Sequence, residues 1–323
     1  HKQISFMEFY FIKEKFIIFR TNDIKMKKSS NIKILLLVLS SSTYPSRRNK
    51  KTIKKTWGSS LSDNFRIIFY ESGEDEKIVE DTLFVETDTS TKNLGLKLLL
   101  ALNWCTNNID YDFIFRTNTS SFVNTIELKN YILANLIEKE YVYCGIPLVR
   151  DYKESDEKIN FLSGAGIILN KKTVQLILKK KEQWDHNEWE DVSLGKLLGE
   201  NNIPFTNGKR QDIENNFYNN VIDKTNYHYR CRLDNHYGYP RFLESVVFAD
   251  LNKILKKKNL NTIEVFLKRI LFYTFKIFRV DSPRFKIYKA VKLLAKTIFP
   301  QQIFNQFKKR KPKFLKKFLE ERI

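Results

Sequence analysis

The chain is 323 residues long, which suits one large domain or two of ordinary size. Its residues are 42% apolar and 14% aromatic, which excludes an intrinsically disordered protein. The formal net charge of +20 indicates an anionic partner, namely phosphate groups, nucleic acid or a lipid surface. Cys105, Cys144 and Cys231 are widely spaced and form no C-x-x-C pair. The sequence therefore supports neither a disulfide framework nor a zinc site, and it favours a reducing compartment.

The first apolar run follows an expected amino-terminal extension over residues 1–30. A lysine pair, Lys27 and Lys28, precedes the run and resembles the start of a signal peptide. The run itself, residues 31–42, is rich in β-branched residues and is far shorter than the ~20 residues that span a bilayer. It is predicted to be the first strand of a sheet.

Strands and helices alternate from this run to about residue 205. Strands are predicted at 31–42, 65–71, 113–116, 141–149 and 161–169, and helices at 47–57, 91–107, 126–138, 171–181 and from 188 onward. Such alternation indicates an α/β fold built on one sheet.

The third predicted strand, Phe113–Arg116, ends abruptly in small polar residues. Ligands of open α/β sheets bind outside the carboxyl ends of the strands, so Asn118, Thr119 and Ser120 would face a bound substrate. The alternative is a buried strand that runs into an ordinary turn.

Three other segments could carry chemistry. The helix 47–57 has a dense basic face after a polar loop, which suits anion binding, although the helix taken alone favours a solvated lysine face. Gly164 and Gly166 would let backbone approach a ligand closely. The adjacent acids Glu190 and Asp191 open a helix, where acids are also ordinary partners of the helix dipole.

The composition shifts at residue 251. Residues 251–323 hold 16 lysines and 5 arginines against 4 acidic residues, a net charge of +17. Apolar and aromatic residues are interleaved with these cations, which is typical of basic amphipathic helices that bind anionic membrane surfaces. Solvated helical packing and a nucleic-acid arm are the alternatives. Lysine outnumbers arginine here, which makes the nucleic-acid arm the weakest of the three.

Five segments in fixed order resemble motifs of the β-1,3-galactosyltransferase and Fringe-like glycosyltransferases. They are K-x-x-I-K-x-T-W at 50–57, N-L-G-L-K at 93–97 with Trp104, F-R-T-N-T-S-S-F-V-N at 115–124, L-S-G-A-G at 162–166 and E-D-V-S-L-G at 190–195. The resemblance covers residues 32 to about 205.

The resemblance implies a GT-A fold, a Rossmann-type mixed sheet with flanking helices, over residues 31–250. It also implies transfer of a hexose, of galactose or N-acetylhexosamine type, from a UDP-sugar to an acceptor hydroxyl with inversion. Asp191 would be the general base, which Glu190 helps to position. The donor-binding residues would be Lys50, Lys54, Trp57, Arg116, Asn118, Ser120, Gly164 and Gly166.

The sequence departs from the family at the D-x-D motif, whose carboxylates bind Mn²⁺ or Mg²⁺. Asn118 and Ser120 stand at these positions, so metal use is doubtful. A literal D-x-D, Asp110 to Asp112, precedes the strand and would lie roughly 20 Å from the site.

Three explanations stay open. Lys50, Lys54 and Arg116 could supply positive charge to the diphosphate in place of a metal. A weak ion could bind through Asn118, Ser120 and His228. The chain could also be a catalytically inactive relative that binds a sugar or nucleotide.

The expected partners are a nucleotide-sugar, a glycan or glycolipid acceptor and an anionic membrane surface contacted by residues 251–323. Nucleic acid is not expected. The expected location is the cytoplasm, peripheral to a membrane, with the Golgi lumen as the alternative if the chain is truncated at its amino terminus.

Overall fold

A computed structural model describes residues 31–152, 158–213, 221–233, 241–256 and 265–270. The chain divides into two compact units, one of residues 1–232 and 244–258 and the other of 233–243 and 259–323. The first unit contains every strand and helix labelled below.

The first unit is built on an eight-stranded mixed sheet in the order β3-β4-β2-β1-β5-β8-β7-β9. Its strands are β1 Ile34–Leu39, β2 Phe65–Gly73, β3 Lys77–Val79, β4 Thr82–Glu86, β5 Phe113–Asn118, β7 Tyr143–Asp151, β8 Lys158–Asn170 and β9 Thr206–Asn207. A small second sheet contains β6 Ser121–Val123, β10 Arg210–Asp212 and β11 His228–Arg230.

Six α-helices lie in the described part of the unit. They are α1 Ser46–Ile53, α2 Leu94–Asn108, α3 Thr125–Asn135, α4 Lys171–Lys179, α5 Glu190–Glu200 and α6 Glu244–Leu255. Apolar side chains of α2, α4 and α5 form the main core with one face of the sheet. The prediction of a mixed α/β fold with flanking helices is confirmed.

The central strands place their carboxyl ends along one edge of the sheet. β4, β2, β1 and β5 are mutually parallel, whereas β8 runs antiparallel to β5 and pairs Gly166 with Thr117. The end of β5 and the glycine segment of β8 therefore meet at the same edge. β1 and β5 are buried on both faces, which explains their nearly continuous apolar sequences.

The terminal regions lie largely outside the described residues. This applies to the expected extension 1–30 and to most of the basic tail, of which only 251–256 and 265–270 are described, both mainly helical. The expected domain boundary at residue 250 stays a prediction, and α6 continues across it to Leu255. No helix in the described part of the chain is long and apolar enough to cross a membrane.

Candidate active site

A closed ring of contacts fixes Asp191 at the carboxyl edge of the sheet. Asp191 lies in the first turn of α5, and its Oδ2 accepts a hydrogen bond from the backbone N–H of Gly164 at 2.9 Å. The carbonyl of Gly164 accepts a hydrogen bond from Arg116 Nη1, and Arg116 Nη2 pairs with Glu190 at 2.5 Å. Since Glu190 precedes Asp191 in the chain, the ring closes and holds the Asp191 carboxylate in place.

Arg116 is the centre of this ring. It is buried at the end of β5, and its Nε donates to the hydroxyl of Tyr70 at 3.2 Å. Burial opposes the positive charge, but Glu190 and Tyr70 hold the pKa of the guanidinium above its usual value. Arg116 is thus paired with a carboxylate of α5, and its contact with a donor stays a prediction.

Glu190 is also buried. Burial, together with the neighbouring Asp191, raises the pKa of Glu190 to about 7, whereas Arg116 and Lys97 oppose the rise. Its ionisation is therefore sensitive to pH near neutrality, and Glu190 is a weaker acid than an ordinary carboxyl group.

Glycine is required at position 164 because the side chains of Arg116 and Asp191 lie so close to it. A Cβ at this position would lie 3.1 Å from Arg116 Nη1 and 3.1 Å from Asp191 Oδ2. Any larger residue would have to displace the carboxylate or the guanidinium.

The turn after β5 carries no acid of its own. Asn118 Oδ1 accepts from the backbone N–H of Ser120 at 3.0 Å, and the buried Ser120 hydroxyl donates to Glu244 Oε2 at 3.1 Å. The side-chain amide of Asn49 donates to the same carboxylate oxygen. Glu244 belongs to α6 and is fully buried, so the negative charge beside this turn comes from a different element.

These residues do not form a suitable set of ligands for a divalent ion. Asn118 and Ser120 offer uncharged oxygens, whereas Mn²⁺ and Mg²⁺ are held mainly by carboxylates. Within the described ranges, no three His, Cys, Asp or Glu side chains converge to hold a metal.

His228 is buried beside the turn after β5. Its buried ring lies on β11, and Nε2 is 3.0 Å from the hydroxyl of Ser121. Burial and the nearby Arg210 and Arg230 hold the pKa of His228 well below its usual value, so the imidazole is neutral at pH 7. The ring also packs over Gly166, where a Cβ would come within 2.5 Å of two ring atoms.

The other predicted donor residues are engaged by protein groups. Lys50 Nζ contacts Glu71 and the Thr82 hydroxyl, both at 2.7 Å. Lys54 pairs with Asp81 at 2.8 Å. Trp57 is buried, and its indole N–H donates to the carbonyl of Ser121 at 3.1 Å, which anchors the start of β6.

The literal D-x-D lies at the opposite edge of the sheet. Asp112 Oδ2 accepts from the backbone N–H of Lys33 at 2.8 Å, just before β1 and β5 begin. Asp110 is exposed and pairs with the Lys33 ammonium.

Three residues near the site were not predicted from sequence. Tyr70, in β2 beside the last residue of β1, contacts Arg116, and Glu244 contacts the turn after β5. Lys97 is buried in the first turn of α2, close enough for its positive charge to interact with the carboxylate of Glu190. Of the three, only Lys97 could have been found from the sequence, because it lies in the N-L-G-L-K segment.

Comparison with known proteins identifies the family. The sequence model of the family described as Galactosyltransferase matches residues 46–209, about half of the chain. The chain belongs to this galactosyltransferase family. The match contains β5, the glycine segment of β8 and the first turn of α5.

A search of solved structures found a glycosyltransferase involved in the glycosylation of the major capsid of PBCV-1. The two chains are 10% identical, with a TM-score of 0.42, over 68% of this chain and 99% of that chain. A search of curated proteins found no match. The family membership supports glycosyl transfer as the activity.

Proposed function

We propose that the chain is an inverting glycosyltransferase that moves a hexose from a UDP-sugar to an acceptor hydroxyl, with Asp191 as general base. The observation that carries the proposal is the ring of contacts around Asp191. It presents one carboxylate, held by Gly164 and supported by Arg116 and Glu190, at the edge where ligands of open α/β sheets bind.

The chemistry needs one base and one leaving group on opposite faces of the sugar. Asp191 accepts the proton of the acceptor hydroxyl while the oxygen of that hydroxyl attacks C1 of the donor sugar. The bond between C1 and the phosphate oxygen breaks, and its electron pair stays on UDP. Attack and departure on opposite faces invert the configuration at C1, and a positioned base contributes about 10² to 10⁴ in rate.

Arg116 and Glu190 act as positioning residues in this scheme. Their charges compensate each other inside the protein, and a buried ion pair with good geometry is rigid. Arg116 then orients the Gly164 peptide, whose N–H group holds Asp191. The donor contacts stay predictions, and they are Lys50, Lys54, Trp57, Arg116, Asn118, Ser120, Gly164 and Gly166.

No step of the scheme passes through a metal, because the turn after β5 offers uncharged oxygens. A donor screen tests the proposal. Purified protein is incubated with UDP-galactose, UDP-N-acetylhexosamines and UDP-glucose, with and without EDTA, and release of UDP and the anomeric configuration of the product are measured. We expect acceptor-dependent UDP release that survives EDTA, and a product of inverted configuration. Retention of configuration or loss of activity in EDTA would contradict the scheme.

The second candidate is a catalytically inactive relative that binds a sugar or nucleotide. The uncharged Asn118 and Ser120 favour it. It predicts saturable UDP binding with no turnover of any donor, whereas the leading proposal predicts both binding and turnover.

The acceptor is proposed to be a glycan or glycolipid, reached from an anionic membrane surface that residues 251–323 contact. The support is the net charge of +17 in this segment. Co-sedimentation with vesicles that contain anionic lipid tests it. Salt-sensitive binding by the full chain is expected, and equal binding to neutral vesicles would contradict it.

A further inference from the structure

Lys97 is a buried cation in the first turn of α2. The residue is only 5% exposed, and the turn lies at the carboxyl edge of the sheet because the chain enters α2 shortly after β4 ends at Glu86. Across the described ranges, no hydrogen bond or ion pair joins the Lys97 ammonium to a protein group. A buried ammonium group without a direct partner is costly, so such a group calls for a ligand.

The charged groups that face Lys97 are three carboxylates. Those of Glu190, Asp88 and Glu71 raise the pKa of Lys97, but burial outweighs them and lowers it. Each carboxylate already has its own direct partner. Glu190 pairs with Arg116 at 2.5 Å, Glu71 with Lys50 at 2.7 Å, and Asp88 accepts the Ser90 N–H at 2.7 Å.

Lys97 therefore differs from the three cations that the sequence offered for the diphosphate. Lys50, Lys54 and Arg116 all contact carboxylates directly. The first turn of α2 contains no acidic residue, so the positive end of the helix dipole adds to the charge of Lys97. The two features together favour an anion at this place.

We propose that the Lys97 ammonium binds a diphosphate oxygen of the donor nucleotide and neutralises the charge that UDP carries away. The proposal rests on the proposed function, which requires a nucleoside diphosphate as leaving group. It assigns to Lys97 the electrostatic role that an ion bound to D-x-D acids would otherwise fill, since Asn118 and Ser120 carry no charge.

The test compares binding of UDP and of uridine, which lacks phosphates, to the full chain and to Lys97→Met. Lys92, exposed and five residues earlier, gives the matched control Lys92→Met. We expect Lys97→Met to weaken UDP binding about tenfold to a hundredfold and to leave uridine binding unchanged. Lys97→Arg should keep more of the UDP affinity, and Lys92→Met all of it.

The outcomes are separable. If the wild-type chain and Lys97→Met bind UDP equally, the role of Lys97 is overturned and the proposed transfer stands. Equal weakening of UDP and uridine would also overturn it, because that result indicates a general disturbance of the pocket. A wild-type chain that binds no UDP would overturn both the proposed donor and this assignment. Thermal unfolding of each variant shows whether the protein is folded when binding is measured.

Discussion

At the scale of single residues, substitutions of two glycines on β8 should affect different properties, activity at Gly164 and stability at Gly166. Gly164 lies against Asp191 and Arg116, and Gly166 lies against His228. Both occur in one L-S-G-A-G segment, yet they face different groups. The same substitution at the two positions therefore has different expected consequences.

Gly164→Ala should lower activity at least tenfold with a small change in stability, because a shift of a few tenths of an ångström displaces the Asp191 carboxylate. Gly166→Ala should cost about 1–3 kcal/mol of unfolding free energy, because its methyl group overlaps a buried ring. Denaturant titration and initial rates measure both. Gly199→Ala in α5, where a Cβ meets open space, is the control and should stabilise by about 0.5–1 kcal/mol. Equal behaviour of the two β8 variants would contradict this assignment.

The raised pKa of Glu190 predicts a pH effect. Because the folded-state pKa, about 7, lies above the ordinary 4.5, protonation of Glu190 favours the folded state. This contribution to stability is present below pH 4.5 and is lost as the pH rises through about 7. Catalysis should respond in the opposite sense, since protonation removes the charge that pairs with Arg116.

We therefore expect the rate to fall as the pH drops below about 7 in the wild-type chain. Glu190→Gln should be slower and should lack this limb of the pH profile, while its unfolding free energy varies less between pH 4.5 and 7. Rate profiles and denaturant titrations of the two proteins provide the measurements. An unshifted acidic limb in Glu190→Gln would assign that limb to another group.

The sequence reveals the members of this site but not their pairing. Asp191 and Gly164 were identified because each lies in a short motif of the family. The Arg116–Glu190 pair joins residues 74 positions apart, and that distance depends on how β5, β8 and α5 pack. Local patterns carry no information about such a contact, so the pairing of Arg116 with Glu190 was not predicted.

At the scale of elements, α6 places a buried carboxylate against the turn after β5. Its first residue, Glu244, accepts hydrogen bonds from Asn49 on α1 and Ser120 after β5. Arg48 Nε also donates to the Ser245 hydroxyl at 3.1 Å, so α1 and α6 are joined at two points. The α6 helix is thereby coupled to the turn that ends β5.

Glu244→Ala should destabilise the protein by about 1–3 kcal/mol, because it takes an acceptor from two buried donors. Glu244→Gln should cost less, since one oxygen remains. Ser245→Ala, which removes only a half-buried hydroxyl, is the neighbouring control and should cost about 1 kcal/mol or less. Chemical denaturation compares the three, and an Ala variant no worse than Ser245→Ala would contradict the role given to Glu244.

Elements with strong local patterns were predicted well. The strand predicted at Phe113–Arg116 is β5, and the helix opened by Glu190 and Asp191 is α5. The small sheet of β6, β10 and β11 was missed, because three-residue strands leave almost no periodic pattern. Its register depends on long-range packing such as that of Phe122 against Tyr229.

At the scale of the whole molecule, charge is segregated along the chain. Residues 251–323 carry +17 and residues 1–30 carry +4, so residues 31–250 carry −1 of the total of +20. The family match, 46–209, lies entirely inside this nearly neutral part. The strong positive charge of the protein therefore belongs to its terminal segments, and the site relies on a few placed cations such as Arg116 and Lys97.

The central claim is that Asp191 takes the proton of the acceptor. The measurement is the initial rate of UDP release from the best UDP-sugar by the wild-type chain and by Asp191→Asn, with UDP binding recorded for both. The account predicts a loss of about 10² to 10⁴ in rate with UDP affinity unchanged. A rate within a few-fold of wild type, in a variant that still binds UDP, would contradict it.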